Sequence, residues 1–514
     1  MSDENFYITT PIYYPSGNPH MGHAYSSIVA DIFARFKRLE GKNVYFLTGT
    51  DEHGLKIQRE AEKNNKNVKI FCDEVSKKFN DLTKTLNLSN NDFLRTTEKR
   101  HHRSVHAMWN RLLDSGDIYL SKYSGWYSVS DEAYYTDDEI ITDNEKKISA
   151  TSGSTVDWVE EDSFFFKLSS WEDKLLDYYQ KHPGFISPKS RRNEIIQFVK
   201  SGLNDLSVSR TSFKWGVQVP NNDKHVVYVW LDALTNYISA LNYPDLKDPL
   251  YKKFWPANIH IIGKDILRFH AVYWPAFLMA AKIPLPQKIF GHGWILSDEK
   301  KMSKSLGNIL DPIDIINKYG IDQLRYYLVK EVSLGNDGNI SMENLKNCIN
   351  NDLANNFGNL CQRVFSFIEK NCDGKLPRPS KLEDVDNALL DNLIKKIPEL
   401  VLDMNNQNLN EYIKKVVEFS FNANKYFNDL QPWSLKKTNI EKMNTILFTI
   451  VTQIKNISIL LSPIIPLSSE KILDIMNLKK DERKLSSINN VDIFDHDTKF
   501  DKITILFRKI EDDN

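Results

Sequence analysis

The N-terminal stretch limits the fold more than any other part of the chain. The apolar run Phe6-Tyr7-Ile8-Thr9 reads as a buried strand, and Ala24 to Glu40 reads as a helix, because Tyr25, Ile28, Val29, Ile32, Phe36 and Leu39 recur at helical spacing before Gly41. Val44-Tyr45-Phe46-Leu47-Thr48 is a second strand. Strand, helix and strand in this length make a parallel crossover unit, whose ligands collect at the carboxyl ends of the strands. Two loops fall on that edge. In the first, Pro11 to His23, His20 and His23 sit where the first N–H groups of the helix point outward, an arrangement suited to an anion and equally to a plain loop-to-helix junction. In the second, Gly49-Thr50-Asp51-Glu52-His53-Gly54, the carboxylate of Asp51 suits a ligand bearing both a phosphate and an amine, or the N-cap of a helix beginning near Leu55.

Composition bounds what such a site can serve. A chain of 514 residues is too long for one core and is expected to divide into about three domains. Lys+Arg 67 against Asp+Glu 68 leaves a formal net charge of -1, so any nucleic-acid partner must be held by local patches. Cys72, Cys348, Cys361 and Cys372 share no short paired spacing, which argues against a disulfide framework and against a site of four thiolates. No export or transit signal is visible, and the apolar run Ile457 to Leu467 is too short to span a bilayer and contains two prolines, so a cytoplasmic protein without a membrane partner is expected.

Downstream, Ser115 to Pro220 turns irregular, with Tyr, Trp, Ser and Asp at turn-like intervals, and reads as an inserted module of short strands. Alternation resumes with Val226 to Trp230 and Ile259 to Ile262 as strands, the second followed by Gly263-Lys264-Asp265 and a helix from Ile266 toward Ala281. The expected fold class is therefore α/β, a Rossmann-type parallel sheet split by an insertion and followed by an all-α helix bundle. The bundle helices are expected over Asn347 to Asn371, Asp384 to Asn405, Leu409 to Leu430 and Ile440 to Leu461. Between sheet and bundle, Lys301-Met302-Ser303-Lys304-Ser305 offers cations and hydroxyls that can clamp a polyphosphate, though a bare basic loop is also an ordinary solvated surface.

Taken together, His20-Met21-Gly22-His23 and Lys301-Met302-Ser303-Lys304-Ser305 on a split dinucleotide-type sheet resemble the signature pair of class I aminoacyl-tRNA synthetases. Thr10-Pro11-Ile12-Tyr13-Tyr14-Pro15, Gly49 to Gly54, Asp205 to Arg210, Tyr228 to Leu234 and Ile262 to His270 further resemble the methionyl-tRNA synthetase family over nearly the whole length. The resemblance implies ATP-dependent attachment of L-methionine to tRNA(Met), initiator and elongator, through an adenylate. It divides the chain into Rossmann half one over 1–115, a connective insertion over 116–220, Rossmann half two over 221–285, a signature-loop and stem-contact region over 286–345, and an anticodon-binding domain over 346–514.

By the same resemblance, Ile12, Tyr14, Trp230, Ala233, Leu234, Tyr237, Ile266 and His270 line the methionine pocket and Asp51 holds the substrate ammonium. Polarizable aromatic and aliphatic walls suit a thioether, while Trp230 and Tyr237 at their spacing also fit ordinary core. His20, Gly22, His23, Gly263, Asp265 and Lys304 are expected at ATP, with His20, His23, Lys301 and Lys304 stabilising the charge that builds in transfer. Mg²⁺ is expected to enter with ATP. Relatives with a zinc knuckle carry Cys pairs where this chain reads Ser128-Val129-Ser130-Asp131, so no structural zinc is expected. Asn359, Arg363 and Trp433 are expected to read the anticodon, with Lys425, Lys436 and Lys437 as phosphate contacts or as solvated charge. No appended dimerising module follows, and a monomer is expected. Another class I synthetase, for leucine or cysteine, would bring an editing insertion or zinc ligands in its pocket. A silent RNA-binding relative would be expected to lose one of the four signature residues, all of which are present.

Overall fold

The computed structural model describes residues 4–131, 133–143, 146–297, 300–301, 310–488 and 490–511. They fall into two compact units, one of Asn5–Pro19 with Val44–His292, the other of His20–Asn43 with Gly293–Asn514.

The first unit is built on a six-stranded sheet. Its spatial order is Asp92–Arg95, Asn43–Thr50, Asn5–Thr9, Ile259–Gly263, Ile289–His292 and Ile186–Ser187. The paired strands run parallel, with Ile8 opposite Ile259 and Ile262 opposite Gly291. Ile8, Phe46, Leu47, Ile261 and Ile289 are fully buried, as expected of a sheet covered on both faces. The strand order reverses between Asn5–Thr9 and Ile259–Gly263, which puts the ligand crevice of such a sheet beyond Thr9 and Gly263. Gly49 allows the edge strands to approach: a Cβ there would stand 1.9 Å from the Leu94 carbonyl oxygen.

Three local expectations are corrected here. The strand expected over Val226 to Trp230 ends at Val227 and pairs antiparallel with Ser209–Arg210 and Gln218–Val219, outside the parallel sheet. Trp230 is helical, in Val229–Ser239, because a short apolar run also fits the first turn of a buried helix and Asp232 favours that helix terminus. Residues 116–220 do form an antiparallel sheet, with Asp157–Phe166 paired along Ile118–Ser128, but they also lend Ile186–Ser187 to the parallel sheet. Asp51 caps no helix: Gly54, at φ +110°, precedes Leu55–Lys63, and no side chain caps it.

The second unit is mainly helical, with one small sheet of Lys300–Lys301, Ile295–Ser297 and Gly338–Ile340. Asp384–Asn405, Leu409–Leu430 and Ile440–Leu461 form as the periodicity predicts. The helix expected over Asn347 to Asn371 instead runs as Met342–Cys348, a π-helical segment Ile349–Gly358, and Asn359–Asn371. Apolar spacing does not reveal the widening, within which the Asn424 amide donates to both the carbonyl and the side-chain oxygen of Asn356. Helix Ile440–Leu461 is long and apolar enough to cross a bilayer, and 94% of its apolar window is buried inside the protein. Met21–Leu39 belongs to this unit through Asp31, whose carboxylate lies 2.7 Å from the guanidinium of Arg325, both fully buried.

Candidate active site

Helix Met21–Leu39 begins with the two imidazoles. His20 is its N-cap, and its Nδ1 accepts from the Gly22 N–H at 3.1 Å, while His23 Nδ1 accepts from the His20 N–H at 3.1 Å. The rings lie 3.7 Å apart. Burial, then the neighbouring His20, lowers the pKa of His23 well below its ordinary value. Each Nδ1 is an acceptor, so each neutral ring carries its proton on Nε2, at the positive end of a helix. Gly22 fits under the His20 ring, where a Cβ would lie 3.0 Å from Cε1. Lys301 ends the short strand Lys300–Lys301, paired antiparallel with Ile295–Ser297. Its side chain, and all of Lys304, lie outside the described residues.

In the first unit, the loops beyond the strand ends bring most of the expected pocket together. Asp51 is buried, and its N–H donates to the Tyr13 carbonyl at 2.9 Å. Tyr14 donates its hydroxyl to the His53 carbonyl at 3.1 Å, with Lys56 over its ring. Ile12 is partly exposed on the same loop. Helix Val229–Ser239 contributes Trp230, Ala233, Leu234 and Tyr237, the last three buried. Trp230 stacks on Phe269 with centroids 3.7 Å apart and meets His270 edge-on. His270 Nδ1 lies 2.9 Å from the Ile266 carbonyl, which can only accept, so the ring proton is on Nδ1; Nε2 then accepts from the Tyr237 hydroxyl at 2.7 Å. Burial pulls the His270 pKa down to about 4, keeping the imidazole neutral, and pushes the Tyr237 phenol well up. Trp230, Phe269, Tyr237, His270 and Ile266 are thus an apolar aromatic wall whose internal polar atoms are largely tied to one another. Gly263 and Asp265 adjoin: a Cβ on Gly263 would be 2.6 Å from an Asp265 carboxylate oxygen.

Sequence reasoning missed Phe269, which forms a face of this wall from a π-helical turn, Phe269–Tyr273. It also missed Asp232, which lies inside the quoted Leu231-Asp232-Ala233 and holds two imidazoles. The signal for the second was a carboxylate within an otherwise apolar helical turn.

In the helical unit, Arg363 and Trp433 come together and Asn359 lies one turn before Arg363, exposed. The Arg363 guanidinium sits 5.2 Å from the Phe427 ring and 5.8 Å from Trp433, and it donates to the Asn428 side chain at 2.7 Å. Arg363, Phe427 and Trp433, with Phe367 and Lys370, line an open cavity of about 370 Å³. Lys436 donates to Asn371 at 2.8 Å. In the insertion, Asp131 accepts from the hydroxyls of Tyr135, Ser152 and Ser154 at 2.7, 2.5 and 2.7 Å, and its own N–H donates to Ser128. Hydroxyls around one carboxylate are not a zinc ligand set, and among the described residues no group of three or more His, Cys, Asp or Glu stands together to hold a metal.

The family described as class I (M) tRNA synthetases matches residues 6–145 and 142–365, and the anticodon-binding domain of methionyl-tRNA ligase matches 376–514. The chain belongs to the methionyl-tRNA synthetase family. Among the family's members, methionine–tRNA ligase of Brucella suis is 49% identical over 488 residues, 95% of each chain, and that of Rickettsia felis 50% identical over 491 residues, 93% of each. The solved structure of Mycobacterium tuberculosis methionyl-tRNA synthetase in complex with methionyl-adenylate superposes with a TM-score of 0.96 at 42% identity, covering 98% of this chain and 99% of that one.

Proposed function

We infer that the protein activates L-methionine with ATP to methionyl-adenylate, releasing pyrophosphate, and transfers the methionyl group to the terminal ribose of tRNA(Met). The observation that carries this reading is the agreement, over 98% of the chain, with a family member solved with methionyl-adenylate. The aromatic wall supports it, since Trp230, Phe269 and Tyr237 suit an unbranched thioether, with Ile12, Tyr14, Ala233, Leu234, Ile266 and His270 completing the pocket. Asp51 takes the ammonium. His20 and His23 donate Nε2–H to triphosphate oxygens, a role their shared tautomer supports. Gly22 lets the phosphates approach the helix terminus, Gly263 and Asp265 meet the ribose, and Lys301 and Lys304 add cationic charge as the transition state forms. Mg²⁺ enters with ATP as part of the substrate.

Asn359, Arg363 and Trp433 read the anticodon, for which the cationic and aromatic lining of the 370 Å³ cavity is suited. Work as a monomer in the cytoplasm, with the domain division set out from the sequence, completes the proposal. Pyrophosphate exchange offered methionine, leucine, isoleucine and cysteine separately tests activation, and charging of tRNA(Met) transcripts tests transfer. Exchange with methionine alone is expected; exchange with another amino acid overturns the pocket assignment.

A further inference from the structure

Asp232 is fully buried in the first turn of the helix that carries Trp230, Ala233, Leu234 and Tyr237. Each of its carboxylate oxygens is taken by an imidazole. Oδ2 accepts from His53 Nδ1 at 2.6 Å, and Oδ1 accepts from His101 Nε2 at 2.7 Å. His101 Nδ1 in turn meets Ser239 Oγ at 3.0 Å, at the far end of the same helix. His53 sits two residues after Asp51, is buried, and is gripped on its other sides: its carbonyl accepts from Tyr14, and its ring packs edge-on against His102 and Trp215. Trp215 donates to the Glu52 carbonyl at 2.5 Å, and Glu52 is held by both arms of the Arg95 guanidinium. The Asp51 segment therefore has little freedom of its own, and the His53–Asp232 pair ties it directly to the pocket helix.

We propose that Asp232 is a positioning residue of the amino-acid site: through His53 it fixes the segment bearing Asp51 against the helix bearing Trp230 and Tyr237, so that ammonium and side-chain recognition are held at one separation. It touches no substrate itself. Burial alone would raise the pKa of this carboxyl, but His53 and His101 outweigh it and hold the group ionised, well below the usual range. An ionised acceptor fixes both histidines as donors, which sets their ring orientations and with them the loop. The inference rests on the proposed activation of methionine and deepens it.

The test uses the full chain in methionine-dependent pyrophosphate exchange, titrating methionine and ATP separately for the wild type, Asp232→Ala, Asp232→Asn and His53→Gln, each checked for folding by its thermal transition. Asp232→Ala and His53→Gln are expected to raise KM for methionine about tenfold to a hundredfold while KM for ATP stays within about twofold, since displacement of a positioned group by about 1 Å has effects of that size. Asp232→Asn is expected to fall between, because its amide can still bond each ring after a change of tautomer. Should Asp232→Ala not fold, His53→Gln and Asp232→Asn carry the measurement. An unchanged KM for methionine in folded variants, or a rise shared equally with ATP, overturns the proposal while leaving the function intact. A wild type that exchanges with no methionine overturns the function first and the proposal with it.

Discussion

His270 shows how one side chain serves the pocket only in one protonation state. As a neutral ring it receives the Tyr237 hydroxyl; protonated, it would turn that hydrogen bond around and bring a charge into an apolar wall. Its folded pKa is pulled to about 4, that of His102 also to about 4, and those of His23 and His260 well below 6.5, burial being the first cause in each. The sign follows from where the protons go. As pH falls below 6.5 the unfolded chain takes them up while the folded chain does not, so the stability these groups allow is intact above about 6.5 and is lost progressively toward about 4. Thermal unfolding between pH 7.5 and 5 is expected to show a falling midpoint below 6.5. His270→Gln, which removes one such group, is expected to make that fall shallower.

Among the elements, two polar hubs, one half-buried in the insertion and one fully buried in the helical unit, replace what composition alone suggests. In the insertion, Asp131 gathers the hydroxyls of Tyr135, Ser152 and Ser154, tying segments that otherwise have few apolar contacts. Asp131→Ala leaves three donors without their acceptor. It is expected to cost about 0.5–1.5 kcal/mol locally, since the freed hydroxyls can reach water, read as faster amide exchange over 128–156 with the parallel sheet unaffected. In the helical unit, Arg325 bonds Asp31 and donates to the Ile464 and Pro463 carbonyls at 2.9 and 2.8 Å. Arg325→Ala takes a guanidinium from a buried carboxylate that Arg35 also holds, and is expected to lower stability by about 3–5 kcal/mol in denaturant unfolding. Neither hub was legible in the sequence. Periodicity found the helices Asp384–Asn405, Leu409–Leu430 and Ile440–Leu461 because apolar spacing is local, whereas Tyr14, Asp51, Trp230, Tyr237 and His270 were named through the family resemblance, and their roles stand as proposed. What escaped depends on partners distant in the chain. Asp232 meets His53 across 179 positions, and Asn424 meets Asn356, in the π-helical segment before Asn359, across 68.

At the scale of the whole molecule, a net charge of -1 leaves no general field to attract RNA, so tRNA affinity must come from a few local contacts. The geometry of Arg363 separates two kinds of contact. A guanidinium 5.2 and 5.8 Å from the Phe427 and Trp433 rings, with one arm bonded to Asn428, suits the proposed stacking on a base better than a phosphate contact. Two variants then act alike for a shared reason. Trp433→Ala and Arg363→Ala are each expected to reduce kcat/KM for charging tRNA(Met) by the equivalent of about 1–3 kcal/mol, the range for loss of one base-stacking partner. Because neither loss would release counterions, the dependence of tRNA binding on salt is expected to keep its slope. Loss of a phosphate contact instead lowers that slope by about one unit, the outcome that would reassign Arg363 to the backbone. Methionine-dependent pyrophosphate exchange, which needs no tRNA, is expected to be unchanged in both variants. A fall in exchange would mean that the helical unit contributes to activation by more than the histidines at its first helix.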